Sequence, residues 1–87
     1  MSHLPSFIKE LKALKSTTSY ATIRRLTFES IPAAAGFTDI RNLKRLKAAD
    51  RAYRIRVGDY RIGFFFEDDT AIFARVLHRS KIYRFFP

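Results

Sequence analysis

From Tyr53 to Gly63 the chain alternates with a period of two. Tyr53, Ile55 and Val57 interleave with Arg54 and Arg56, and after Gly58-Asp59 the alternation resumes through Tyr60, Arg61, Ile62 and Gly63. Such a run of β-branched and aromatic residues predicts two strands, and Gly58-Asp59 fits a two-residue hairpin loop. A loop of that length fixes the register: Val57 opposite Tyr60, Arg56 opposite Arg61, Ile55 opposite Ile62, Arg54 opposite Gly63 and Tyr53 opposite Phe64. Successive side chains point to opposite faces, so the apolar members of these pairs share one face. Arg54, Arg56 and Arg61 share the other, beside the small Gly63. A third strand, about Ala71–Leu77, follows the acidic turn Glu67-Asp68-Asp69. An odd-numbered turn would set Ile72, Ala74 and Val76 toward the core and add Arg75 and Arg79 to the arginine face; an even-numbered turn would reverse this. The odd register is favoured because it buries no arginine.

Upstream the period is helical. Phe7, Ile8, Leu11 and Leu14 recur at helical spacing behind Pro5, a residue suited to a first turn, and Ser16-Thr17-Thr18 ends the segment. Ser19 is a candidate N-cap for a second helix with the stripe Tyr20, Ile23, Leu26 or Thr27, and Ile31, stopped by Pro32. Residues 33–52 read as a connector with a helix exit at Gly36. Leu43 and Leu46 anchor it, while Lys44, Arg45 and Lys47 form a solvated face or extend a basic surface. The expected architecture is α+β: an N-terminal helical hairpin packed on one face of an antiparallel sheet.

Composition narrows the function. Eighty-seven residues make one domain, and the absence of cysteine excludes disulfides and thiolate metal sites. With His3 and His78 the only histidines, a metal centre is not expected, nor is any cofactor. No apolar run approaches the ~20 residues of a membrane span, and no signal-peptide pattern opens the chain, so a cytoplasmic protein is expected. The net charge of +9 changes the picture most. The balance is +3 over residues 1–43 and +6 over residues 44–87. A polyanionic partner, nucleic acid or an acidic protein, would account for it, as would a merely soluble basic surface.

The arginine face bears on that choice. Like charges directly opposite in a sheet cost about 0.2–1 kcal/mol per pair, little enough for solvent to hide. The face can therefore be a plain exposed surface, its stems covering apolar area. It can also be a seat for phosphate, whose oxygens match the guanidinium fork and would relieve the repulsion. In the tail LHRSKIYRFFP, His78 reads as a core or boundary residue. Tyr83, Phe85 and Phe86 either pack or stack on bases.

The run LKRLKAADRAYRIRVGDYRIGFFFEDDTAIFARVLHRSKIYRFFP resembles the C-terminal core of the RelE/ParE superfamily of type II toxins. YRIRVGDYRI paired with HRSKIYR after one intervening strand carries most of the likeness, and SFIKELKALK resembles the superfamily's first helix. The resemblance implies a helical hairpin on a curved antiparallel sheet. Only MSHL precedes Pro5, so the strand that usually opens the family would be short or missing. For RelE-type members it implies a metal-free, ribosome-dependent endoribonuclease, in which the ribose 2′-OH attacks the adjacent phosphorus. The products are a 2′,3′-cyclic phosphate and a 5′-OH end. It further implies a cognate antitoxin, the ribosome and mRNA as partners, and operator DNA only through the antitoxin complex.

Carried over by position, Arg61 would contact the scissile phosphate, Arg79 would lie near the leaving oxygen, and Tyr83 would stack on a base and help activate the 2′-OH. His78 is a candidate general base beside the motif. Arg54, Arg56, Lys44, Lys47, Arg75 and Lys81 complete the expected phosphate-binding set. Arg54 and Arg56 stand where family members carry lysine, which argues against a simple lysine base here. The same superfamily includes ParE-like inhibitors of DNA gyrase without nuclease activity, and an inactive antitoxin-binding remnant would share the fold too.

Overall fold

The structure, a computed structural model, describes residues 2–31, 42–46, 51–68 and 70–87. Pro32, Gly36 and Lys47 lie outside the described residues. The hairpin forms in the expected register. Strands β3 (Ala52–Val57) and β4 (Tyr60–Glu67) pair with Val57 opposite Tyr60 and Arg56 opposite Arg61. Gly58 takes φ +57° in the turn, a conformation open to glycine without a Cβ clash. Strand β5 (Thr70–His78) runs antiparallel along β4. Strand β2 (Leu43–Arg45) borders β3, and β1 (Ser2–His3) lies parallel to the outer edge of β5. The sheet order is β1-β5-β4-β3-β2. The first strand is thus a stub of two residues, and the connector anchored by Leu43 contains a strand.

The β4–β5 register answers the question of turn parity in an unexpected way. Glu67 pairs with Thr70, so the turn is even-numbered, and Phe65 faces Ile72 while Phe64 faces Phe73. Ala74 is then skipped in a bulge, after which Gly63 pairs with Arg75, Ile62 with Val76 and Arg61 with Leu77. One extra residue restores the other parity. Arg75 and Val76 therefore sit on the faces expected of them, whereas Ile72 and Ala74 do not face the main core. Ala71 and Phe73 take those places.

Helix α1 (Pro5–Ala13) and helix α2 (Tyr20–Arg25), the latter continued by a π-helical turn over Leu26–Ser30, cover the apolar face. Phe7, Leu11, Ile23 and Ile31 pack there against Ile55, Val57, Ile62, Phe64 and Val76. Thr27 takes the buried stripe position ahead of the half-buried Leu26, its hydroxyl donating to the Ile23 carbonyl at 2.8 Å. Ser19 does not cap: its own backbone is helical (φ −83°, ψ −12°), and its side chain makes no capping hydrogen bond.

The tail forms a third helix, α3 (Arg79–Phe85), on the opposite sheet face. Its Ile82, together with Phe86, joins Leu46, Ala52 and Ala74 in a second, smaller core. Gly63 permits this docking, because a Cβ there would lie 2.5 Å from the Phe86 ring.

Two further features hold the β5 edge, which the β1 stub covers only at Ile72 and Phe73. Past the stub, the Ser6 hydroxyl donates to the Ala74 carbonyl at 2.8 Å, and Glu10 accepts from the Val76 N–H at 3.0 Å. Side chains of α1 thus supply the hydrogen bonds a longer strand would have made. On β1 itself, His3 stacks on Phe73 at 5.2 Å and neighbours Phe28 at 4.9 Å. Its Nε2 is buried without a hydrogen-bond partner. Among the described residues, no helix is long and apolar enough to cross a membrane.

Candidate nucleic-acid interface

On the face carrying α3, two rows of side chains run across the sheet. The first is Lys44, Arg54, Gly63 and Arg75; the second is Arg56, Arg61 and Leu77. The strand missed in the connector thus adds a second like-charge pair, Lys44 opposite Arg54, to Arg56 opposite Arg61. Between them opens a cleft of about 310 Å³ lined by Asn42, Leu43, Lys44, Arg54, Arg56, Arg61 and Tyr83. Among the described residues four cations line it and no carboxylate does.

The three arginines are held differently. Arg61 folds back over the hairpin turn, its Nη1 donating to the carbonyls of Gly58 and Tyr60, both at 2.9 Å. Arg56 Nη2 donates to Asn42 Oδ1 at 3.2 Å. Asn42 adopts φ +61°, a region where asparagine is among the few tolerated non-glycine residues. Arg54 lies under the ring of Tyr83, with its guanidinium carbon 4.4 Å from the ring centroid. That contact leaves Tyr83 67% exposed, its ring offered to whatever enters the cleft. Partial burial presses the pKa of Arg61 downward, and repulsion from Arg56, Arg54 and Arg79 adds to this, while Tyr83 acts in the opposite sense. Arginine remains charged under such pressure, so the site holds concentrated positive charge instead of shedding a proton.

The remaining expected residues scatter. Arg79 opens α3 at the rim: its N–H donates to the Asp59 carbonyl at 2.7 Å and its Nε lies 3.9 Å from Asp59 Oδ1. Lys81 is exposed on α3 and does not line the cleft. Arg75 is taken out of the set. Its Nε donates to both Glu10 carboxylate oxygens, at 2.9 and 3.1 Å, and its guanidinium lies 5.0 Å from the centroid of the Phe85 ring. An arginine on the right row is thereby neutralised by α1. His78, read as a core or boundary residue and as a candidate base, is half-buried and faces Tyr60 across the strands, edge-on at 5.7 Å. Its Nδ1 accepts from the Ser80 N–H at 3.1 Å as the N-cap of α3. That nitrogen is occupied by a structural bond. Asn42 escaped the sequence reading; a lone Asn before an apolar-basic alternation was its only signal. Among the described residues no group of His, Asp and Glu gathers that could hold a metal.

The comparisons with known proteins agree on ancestry. Residues 4–83 match the family described as ParE toxin of type II toxin-antitoxin system, parDE. The chain is 39% identical over 83 residues to Toxin RelE3 of Methanocaldococcus jannaschii, covering 94% of this chain and 92% of that one. The fold superposes on the crystal structure of a RelB-RelE antitoxin-toxin complex from Methanococcus jannaschii with a TM-score of 0.78, at 33% identity and over 100% of both chains. A four-cation cleft on a hairpin-centred sheet, helices on both faces and these matches together make the chain a member of the RelE/ParE superfamily of type II toxin–antitoxin toxins.

Proposed function

We propose that this toxin is a metal-independent, ribosome-dependent endoribonuclease that cleaves mRNA. The observation that carries the reading is the cleft itself: Lys44, Arg54, Arg56 and Arg61 converge with no carboxylate among the described lining residues, under an exposed tyrosine ring. In the proposed reaction the ribose O2′ attacks the adjacent phosphorus and the P–O5′ bond breaks. The 2′-OH gives up its proton, the departing O5′ gains one, and the ends are a 2′,3′-cyclic phosphate and a 5′-OH. Negative charge grows on the phosphoryl oxygens, and the fixed guanidinium groups of Arg61 and Arg54 stabilise it more than the ground state. Arg79, at the rim, is assigned to the leaving oxygen. Tyr83 stacks on a substrate base and is assigned the activation of the 2′-OH; the bonded Nδ1 of His78 makes that residue the weaker candidate. A cognate antitoxin is the proposed inhibitor, by likeness to the relative solved with RelB.

Mapping mRNA 5′ ends after brief induction tests this. Wild type should generate new ends within translated regions, and Arg61→Ala and Arg79→Ala should each reduce them by roughly 10²-fold while the protein stays folded. Unchanged cleavage in both variants defeats the proposal. A second reading, inhibition of DNA gyrase by binding alone, is favoured by the match to the ParE description. It predicts intact mRNA and a loss of supercoiling activity in the same cells.

A further inference from the structure

A second hollow adjoins the arginine cleft on the helical side of the hairpin end. It measures about 420 Å³ and is lined by Thr18, Ser19, Thr22, Leu26, Asn42, Ile55, Arg56, Val57 and Gly58. Asn42 and Arg56 line both hollows, and the hydrogen bond between their side chains forms the saddle from one to the other. The two differ in chemistry. The cleft offers cations, whereas the second hollow offers the hydroxyls of Thr18, Ser19 and Thr22 over an apolar floor of Leu26, Ile55 and Val57. Three hydroxyls that can both donate and accept, above aliphatic side chains, suit a nucleoside, with polar base edges or ribose hydroxyls around apolar ring faces. The volume falls within the ~300–1,000 Å³ range of small-molecule pockets.

We infer that this hollow is a binding subsite for a nucleotide flanking the scissile phosphate, with Arg56 holding the intervening phosphodiester at the saddle. Thr18, Ser19 and Thr22 are the residues that sense the flanking nucleotide. The inference rests on the arginine cleft being an RNA seat. It adds that the strand turns over the hairpin end instead of running straight along the sheet. Among the described residues no negative side chain lines the path, so none of them repels a backbone phosphate crossing it.

The test is amide NMR on the full chain with two probes: adenosine 3′,5′-bisphosphate, and a trinucleotide made uncleavable by 2′-O-methylation. The bisphosphate should move signals of Arg54, Arg56, Arg61 and Tyr83 only. The trinucleotide should move these and also Thr18, Ser19 and Thr22. The groove-filling variant Thr22→Trp should weaken trinucleotide binding about tenfold, as loss of one or two hydrogen bonds would, and leave the bisphosphate unaffected. Perturbation confined to the cleft with both probes overturns the subsite while the nuclease reading stands. If neither probe moves the cleft signals, the cleft is no RNA seat for the free protein and the subsite falls with it, while the nuclease reading is decided by the mapping of mRNA ends.

Discussion

At the scale of single residues the fold retains an arrangement that costs it stability. Arg56 faces Arg61, Lys44 faces Arg54, and among the described residues no acid lines the cleft they share. Asp59 reaches only Arg79 at the rim, and Glu10 is committed to Arg75 on the far strand. Each opposed pair costs a few tenths of a kcal/mol, a strain that an incoming phosphate relieves. Arg56→Gln should therefore stabilise the free protein by roughly 0.2–1 kcal/mol in urea unfolding, since glutamine can keep the bond to Asn42 without the charge. The same variant should cleave less. A variant that is both less stable and fully active would mean that the charge is structural. His3 makes the opposite kind of statement. Burial among aromatic rings lowers its pKa, so the unfolded chain takes up a proton before the folded one does. Stability should thus be at its full value above the ordinary histidine pKa and fall as pH drops through it, flattening once the folded-state pKa is passed. Unfolding midpoints at pH 7.5 and pH 5.5 should differ more for wild type than for His3→Phe.

Among the elements, α3 decides whether the cleft is complete, and one glycine decides whether α3 docks. Phe86 lies over Gly63, and Ile82 fills the space beside Ala52 and Ala74; together they bring Tyr83 onto Arg54. Gly63→Ala should cost about 1–3 kcal/mol by overpacking and should lower cleavage by displacing Tyr83. Phe86→Leu frees room at that spot, so the double variant should recover part of the lost stability. Additive losses would show that the two residues do not meet. This element also marks how far the sequence could be read. The hairpin register was legible because a two-residue turn and a period of two admit one pairing, and α1 because Pro5 and the Phe7–Leu14 spacing agree. The parity of β5 was not, since a bulge at Ala74 depends on packing under α3 and leaves no local mark. Arg75 reads in sequence as one more cation of the patch; only the approach of Glu10 from a helix sixty-five residues away removes it. Strand β2 was illegible for a related reason, its existence resting on β3 as partner, whereas β1, expected from the family likeness as short or missing, forms as a two-residue stub against β5.

For the whole molecule the question is whether the net charge of +9 or its local convergence binds RNA. The exposed lysines of α1, Lys9 and Lys12, lie on the helix covering the opposite face of the sheet from the cleft. Diffuse charge would let any of these cations count, whereas a localised seat counts only those that meet phosphates. Single-stranded RNA releases counterions with a slope of about −0.7 in log K against log salt for each phosphate neutralised. One phosphate held at Arg61, one at the Arg56 saddle and one at Lys44 then predict a slope near −2 for binding of an uncleavable RNA oligonucleotide. Lys44→Ala should bring that slope about 0.7 closer to zero, and Lys12→Ala, equal in charge change, should leave it unaltered. Equal effects of the two lysines would instead assign binding to the field of the whole protein. In that case the opposed arginines would need a different explanation from the one their shared cleft suggests.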